Sequence, residues 1–140
     1  MKRILVAVDG SADSLATVRL ADALARATSS QLELVHVLEL EAAHFPVEHR
    51  DTRSRYAEQS ERAEQVLAQA QAQIESQAVK RIEHGGPAER LRIMAEDPEV
   101  TMVVVGARGH HSILRSLLGS VSQRLVSSCP KTVVVVRSPL

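Results

Sequence analysis

The hydrophobic positions of this chain alternate between short apolar runs and longer segments with helical spacing. Short apolar runs predict buried strands at Ile4–Val8, Met102–Val105 and Thr132–Val136, with a weaker candidate at Val79–Glu83. Another strand is predicted at Leu32–Leu38, where Glu33 and His36 interrupt the apolar run. Apolar residues three and four apart predict helices at Ala12–Ala27 and Arg53–Gln77, and two more that begin at Pro87 and after Gly119. The segment Glu39–Thr52 has no clean period and is predicted to be a loop.

Strands separated by helices are typical of an α/β fold with right-handed crossovers. The pattern predicts one domain over residues 1–140, built as a Rossmann-like open parallel sheet with helices on both faces. Ligands of such sheets bind at the carboxyl ends of the strands, where the strand order reverses. We therefore expect a binding site among Asp9–Ser11, the segment after Val37, and Gly106–Ser122.

Composition and charge exclude several classes of function. Lys plus Arg and Asp plus Glu number 17 each, so the formal net charge is zero, and the only aromatic residues are Phe45 and Tyr56. A chain without a basic field or stacking platforms is a poor nucleic-acid binder. No apolar run reaches the length of a signal-peptide core or a membrane span, and the single cysteine, Cys129, fits a reducing compartment. We expect a cytoplasmic protein that neither inserts into membranes nor binds nucleic acid.

The strongest chemical signal is a glycine-punctuated loop between a buried strand and a helix. Gly106 and Gly109 open the loop, and Gly119 and Ser120 follow after nine further residues. Glycines let a ligand approach the backbone closely, and a helix N-terminus offers unpaired N–H groups and a positive dipole end. Hydroxyl groups of Ser120 and Ser122 could donate to the same anion. The pattern predicts a phosphate-binding cradle.

Other chemistries have no support in the sequence. The lysine-containing loop of P-loop enzymes and the Gly-x-Gly-x2-Gly fingerprint of dehydrogenases are both missing, and no base is tied by spacing to a nucleophile. The adjacent residues His110 and His111 lack the cysteines or carboxylates that would complete a metal site, and His36 is expected to pack near the core. A binding loop without catalytic groups favours a sensor over an enzyme.

The Gly-x2-Gly-x9-Gly-Ser spacing is similar to the ATP-binding signature of the universal stress protein family. The resemblance extends over nearly the whole chain, through Ile4–Ser11, Leu34–Val37, Gly86–Glu89 and Thr132–Arg137. It implies a five-stranded sheet in the order 3-2-1-4-5. It also implies that the chain falls in the ATP-binding branch of the family, because the branch that does not bind ATP lacks these glycines.

The resemblance also implies which residues bind the nucleotide. Asp9 would hold the ribose hydroxyls, and the backbone of Val37 would contact adenine. The phosphates would be surrounded by Gly106, Gly109, Gly119, Ser120, Val121 and Ser122. The predicted binding set further includes Ala7 and Arg108. ATP is the expected ligand, with Mg²⁺ carried on its phosphates.

The function implied by this resemblance is a nucleotide-dependent sensor or regulator of the stress response, with little or no catalysis. Two alternatives stay open: a slow ATPase or self-phosphorylating enzyme of the adenine nucleotide hydrolase type, and a module that regulates another protein.

The last strand, Thr132–Val136, would lie at a sheet edge with four consecutive valines. An apolar edge of this kind predicts a homodimer formed by pairing of this strand with its copy.

Overall fold

The computed structural model describes residues 1–39, 49–108 and 118–138, except for the side chains of residues 49–53. Strands and helices alternate along the chain as the sequence predicts. In chain order the elements are β1 (Arg3–Ala7), α1 (Ala12–Ala27), β2 (Gln31–Leu38), α2 (His49–Ala72), β3 (Val79–His84), α3 (Pro87–Met94), β4 (Val100–Gly106), α4 (Ser120–Ser128) and β5 (Thr132–Val136).

The five strands form a parallel sheet in the order β3-β2-β1-β4-β5, which confirms the predicted order. In the middle of the sheet, Val6 lies beside Leu34 of β2 and Val104 of β4. Helices α1 and α2 cover one face around Val6, and α3 and α4 cover the other face around Leu5. Because both faces are covered, the central strands are almost entirely apolar, as parallel strands usually are.

Element boundaries differ from the sequence prediction at α2. Residues 49–52, predicted to belong to a loop, are helical, and residues 40–48 lie outside the described residues. The helix ends at Ala72, five residues earlier than predicted. It ends there because the main-chain groups that follow it form hydrogen bonds with side chains instead of with the helix backbone. Gln71 donates to the carbonyl of Ser76 (2.8 Å) and accepts from the N–H of Ala78 (3.1 Å).

Asp22 of α1 fixes the same turn from the other side. Its two carboxylate oxygens accept hydrogen bonds from the N–H groups of Glu75 and Ser76, each at 3.3 Å, and the residue is 3% exposed. Burial by itself raises the pKa of Asp22, but the hydrogen bonds from Ser76 and Glu75 outweigh it and hold the pKa below its ordinary value. Asp22 therefore stabilises the fold as a carboxylate.

Asp22→Ala is expected to lower the free energy of unfolding by about 2–3 kcal/mol at neutral pH, because main-chain donors lose a charged acceptor. A lowered pKa means that this contribution is present above about pH 4, the ordinary range of aspartate, and is lost as the pH falls below it. Urea unfolding of the wild type and the variant at pH 7 and pH 3 measures both effects. A difference in stability that stays constant between the two pH values would contradict this role.

The two edges of the sheet have opposite character. In β5, Val133, Val134 and Val135 are half-buried, and among the described residues this strand pairs only with β4. The other edge strand, β3, carries exposed Lys80 and Arg81, and Arg81 forms an ion pair with the buried Glu33. Charged side chains on an edge strand discourage pairing with another chain.

Candidate functional site

The carboxyl ends of β1, β2 and β4 open into a cavity of about 950 Å³. A volume of this size is at the upper end of the range for small-molecule sites. Nine of the ten predicted binding residues line it: Ala7, Asp9, Val37, Gly106, Arg108, Gly119, Ser120, Val121 and Ser122. The tenth, Gly109, lies outside the described residues. The fold thus brings together residues from four elements at the predicted place.

The turn after β1 places a carboxylate on the cavity wall. Asp9 Oδ1 accepts hydrogen bonds from the N–H (2.9 Å) and the hydroxyl (2.6 Å) of Ser11. Gly10 between them has a φ of 86°, a left-handed conformation that favours glycine. Ser11 in turn caps α1, since its Oγ accepts from the N–H of Ser14 (3.3 Å). The first turn of α1 therefore holds Asp9 in place.

At the far side of the cavity, the N-terminus of α4 has no side-chain cap. Gly119 is the N-cap residue, and its own N–H donates to the carbonyl of Ala107 (2.6 Å). The next three N–H groups belong to Ser120, Val121 and Ser122, which all line the cavity. Uncapped N–H groups at a helix N-terminus favour an anion.

The two serines of this turn have different surroundings. Ser120 is exposed, whereas Ser122 is 1% exposed and its hydroxyl lies within hydrogen-bond distance of the carbonyls of Ala107 (3.1 Å) and Gly119 (3.0 Å). The hydroxyl hydrogen of Ser122 is therefore used to hold the loop onto α4. Toward the cavity, Ser122 therefore offers only its main-chain N–H, whereas Ser120 offers its N–H and its hydroxyl.

Gly106 ends β4 where α1 passes close to it. A Cβ atom at this position would lie 3.2 Å from Thr17 Oγ1 and 3.4 Å from the carbonyl oxygen of Arg108. Both distances are tight for carbon. Glycine is thus needed at position 106 for the packing of α1 against the sheet, in addition to its place in the cavity wall.

Arg108 forms an ion pair that the sequence analysis did not predict. Its Nε lies 3.1 Å from Asp13 Oδ2, and its Nη2 lies 3.5 Å from Asp13 Oδ1. The two side chains are only 17% and 18% exposed. Asp13 in the first turn of α1 thus provides a counter-charge for the arginine of the predicted phosphate loop.

The cavity wall also includes residues that the sequence analysis missed. These come from α2 and α3: Gln59, Arg62, Val66, Pro87 and Leu91. Arg62 is exposed and also lines the cavity. The spacing of residues 59, 62 and 66 places them on one side of a helix, which is the signal that could have found them.

His36 also lines the cavity, and its side chain binds where the hydrogen bonds between β1 and β2 stop. Its Nδ1 lies 2.6 Å from the carbonyl oxygen of Val8, so Nδ1 must carry the proton. The main-chain groups of Val35 face β1, because its carbonyl accepts from the N–H of Val8 (2.8 Å). The main-chain groups of Val37, two residues further along β2, point in the same direction. With the Val8 carbonyl occupied by His36, the main-chain groups of Val37 face the cavity without a strand partner among the described residues.

The described residues contain neither a cluster of metal ligands nor a membrane-spanning helix. In ranges 1–39, 49–108 and 118–138 no three histidine, cysteine or acidic side chains lie together as metal ligands. His110 and His111 fall outside these ranges. None of the helices in the described part of the chain has the length and apolar character needed to cross a bilayer.

The chain is similar to members of a known protein family. The model of the universal stress protein family matches residues 1–137. A universal stress protein of Thermus aquaticus is 32% identical over 142 residues, which cover 97% of this chain and 98% of the relative.

Solved structures agree with that match. UspA from Lactobacillus plantarum is 27% identical, with a TM-score of 0.72 over 97% of both chains. A universal stress protein solved in complex with cAMP is 25% identical, with a TM-score of 0.66 over 97% of this chain and 96% of its own. This chain therefore belongs to the universal stress protein family.

Proposed function

We propose that this protein binds ATP in the cavity and acts as a nucleotide-dependent regulator of the stress response, with little or no catalysis. The observation that carries the proposal is the meeting of Asp9, the main chain of Val37 and the uncapped N-terminus of α4 around one cavity. A carboxylate, an exposed main-chain edge and an anion-binding helix end are the groups that a ribose, a nucleobase and phosphates require.

The strand order supports this assignment of the three groups. Val37 belongs to β2, Asp9 follows β1, and the loop before α4 follows β4, and these strands are neighbours in the order β2-β1-β4. Adjacent strands are spaced by roughly 4.8 Å, so the base end and the phosphate end are about 10 Å apart with the carboxylate between them. A nucleotide has the same sequence of parts: base, sugar, phosphate.

The main chain of Val37 supports adenine over guanine. A free N–H beside a free carbonyl matches the adenine edge, in which the ring nitrogen accepts and the exocyclic amino group donates. Guanine has a donor at the ring nitrogen and an acceptor at the exocyclic oxygen, the reverse of adenine. The N–H of Val37 would then face a donor and its carbonyl would face an acceptor. The slot around it is aliphatic, with Val66 and Leu91 among its lining residues.

Further support comes from the relative that was solved with cAMP, which has an adenine base and a phosphate in a related fold. In this chain we assign ATP, with Mg²⁺ carried on the phosphates, because the cradle offers three main-chain N–H groups and Arg108 for several phosphate oxygens. We further propose a cytoplasmic location, which the single cysteine of the chain supports. Nucleotide occupancy would then act on a protein partner or on assembly.

Titration calorimetry with ATP, GTP and adenosine, each with Mg²⁺, tests the proposal. We expect ATP to bind at least 10-fold more tightly than GTP, because the guanine edge leaves the Val37 main-chain groups unpaired or opposed. Mass spectrometry of the purified native protein is expected to release an adenine nucleotide. Equal affinity for ATP and GTP would contradict the adenine assignment, and no binding of either nucleotide would contradict the function.

A further inference from the structure

We propose that Asp13 is an internal competitor for the phosphates of the ligand: it occupies Arg108 in the empty site and thereby lowers the affinity for nucleotides. The inference rests on the proposed function, and it adds a residue that sets how strongly the site responds to phosphate. Asp13 lies on α1, 95 residues from Arg108 in sequence, and is brought to it by the fold.

The position of Arg108 next to the phosphate cradle follows from its neighbour. Ala107 is fastened to the start of α4, because its carbonyl accepts from the N–H of Gly119 (2.6 Å) and from the hydroxyl of Ser122 (3.1 Å). Arg108 is the next residue and lines the same cavity. A guanidinium attached at this point is within reach of an anion bound at the helix N-terminus.

In the structure, however, this guanidinium is directed to a carboxylate of the protein. Two of its three nitrogens, Nε and Nη2, contact the two oxygens of Asp13. Carboxylate and phosphate oxygens use the same planar fork of an arginine, so one group displaces the other. Both side chains are more than four-fifths shielded from water, which makes the ion pair stronger than one on an open surface.

The exchange of Asp13 for phosphate as the partner of Arg108 costs free energy. When phosphate takes Arg108, the carboxylate of Asp13 is left partly buried beside a ligand that is itself negative, and both effects oppose binding. Removal of the negative charge from Asp13 should therefore tighten phosphate binding, and it should do so through Arg108. A ligand without phosphate should not respond.

A double-mutant cycle tests this coupling. ATP and adenosine are titrated into the wild type, Asp13→Asn, Arg108→Gln and the double variant, with Glu96→Gln as the control. Glu96 pairs with Arg92 (2.9 Å) away from the cavity, so that variant changes the net charge equally without touching the site. Thermal unfolding confirms that each variant is folded, and Asp13→Ser replaces Asp13→Asn if the asparagine variant does not fold.

We expect Asp13→Asn to bind ATP about 3- to 10-fold more tightly than the wild type, since the guanidinium of Arg108 no longer has to give up a charged partner, and part of that hydrogen-bond free energy is recovered on binding. In the Arg108→Gln background the same change should alter ATP affinity by less than about 2-fold, and adenosine affinity and Glu96→Gln should stay at the wild-type value.

Three results would overturn the inference while the wild type still binds ATP. Equal tightening with and without Arg108 would show that Asp13 acts through its own charge alone. Weaker binding of ATP by Asp13→Asn would show that the pair positions Arg108 for the ligand. A loss confined to titrations with Mg²⁺ would make Asp13 a metal ligand. If the wild type binds no ATP at all, the proposed function fails together with the inference.

Discussion

Gly119→Val is expected to lower the affinity for ATP by at least 100-fold while the protein stays folded. Gly119 is the N-cap of α4, with φ −66° and ψ 164°, a conformation that valine adopts readily. The added side chain would stand at the cavity wall beside the N–H groups of Ser120 and Val121. The expected loss corresponds to about 2.7 kcal/mol, comparable to the removal of one or two hydrogen bonds to a charged group.

Gly106, another glycine of the cavity wall, is expected to respond differently, because its substitution also disturbs the fold. Gly106→Val places carbon atoms against Thr17 and is expected to destabilise the fold by about 1–3 kcal/mol, the usual cost of overpacking. Calorimetry reports binding, and thermal unfolding followed by circular dichroism reports stability. If Gly119→Val binds ATP like the wild type, the phosphates do not lie at the start of α4 and the proposed site is wrong.

Val135→Pro is expected to convert a homodimer into a monomer. In β5 the carbonyl of Val136 accepts from the N–H of Ala107 (2.8 Å), so residues 132, 134 and 136 face β4. Val133 and Val135 consequently direct their N–H groups away from the sheet, toward the place of a second chain. Proline at position 135 removes one of these outward donors and leaves the ladder to β4 intact.

Light scattering coupled to size exclusion measures the change, from about twice 15.2 kDa to 15.2 kDa. Val135→Ala keeps the N–H while it shortens the side chain, and it is expected to stay dimeric. Val134→Pro breaks a bond to β4 and is expected to lower stability as well. A wild type that is monomeric at micromolar concentration, or a dimeric Val135→Pro, would contradict assembly through β5.

The strands could be predicted because their residues carry the information locally, whereas the strand order was predicted from the resemblance to a known family. The apolar runs at Ile4 and Met102 have no polar interruption, and only a strand buried on both faces tolerates that pattern. The end of α2 could not be predicted in this way. Its sequence continues to favour helix past Ala72, and the turn is imposed by Asp22, which is some fifty positions away along the chain.

The candidate site likewise has features that the local sequence predicts and features that depend on distant contacts. The glycine spacing predicted that the loop residues Gly106 and Gly119 line one cavity, because those glycines are adjacent to the elements that they connect. The partner of Arg108 and the α2 residues Gln59 and Arg62 depend on how two helices pack on the sheet, and no local pattern encodes that packing. The hydroxyl of Ser122 is a similar case, since its binding to Ala107 follows from the path of the loop.

The unequal edges of the sheet have a consequence for the size of any assembly. Pairing through β5 about a two-fold axis would consume the one apolar edge of each copy and join two five-stranded sheets into a continuous one. Its outer margins would then be the two β3 strands, where the exposed charge of Lys80 opposes pairing with a further strand of the same kind. Growth would stop at two chains, and the assembly would not extend into filaments.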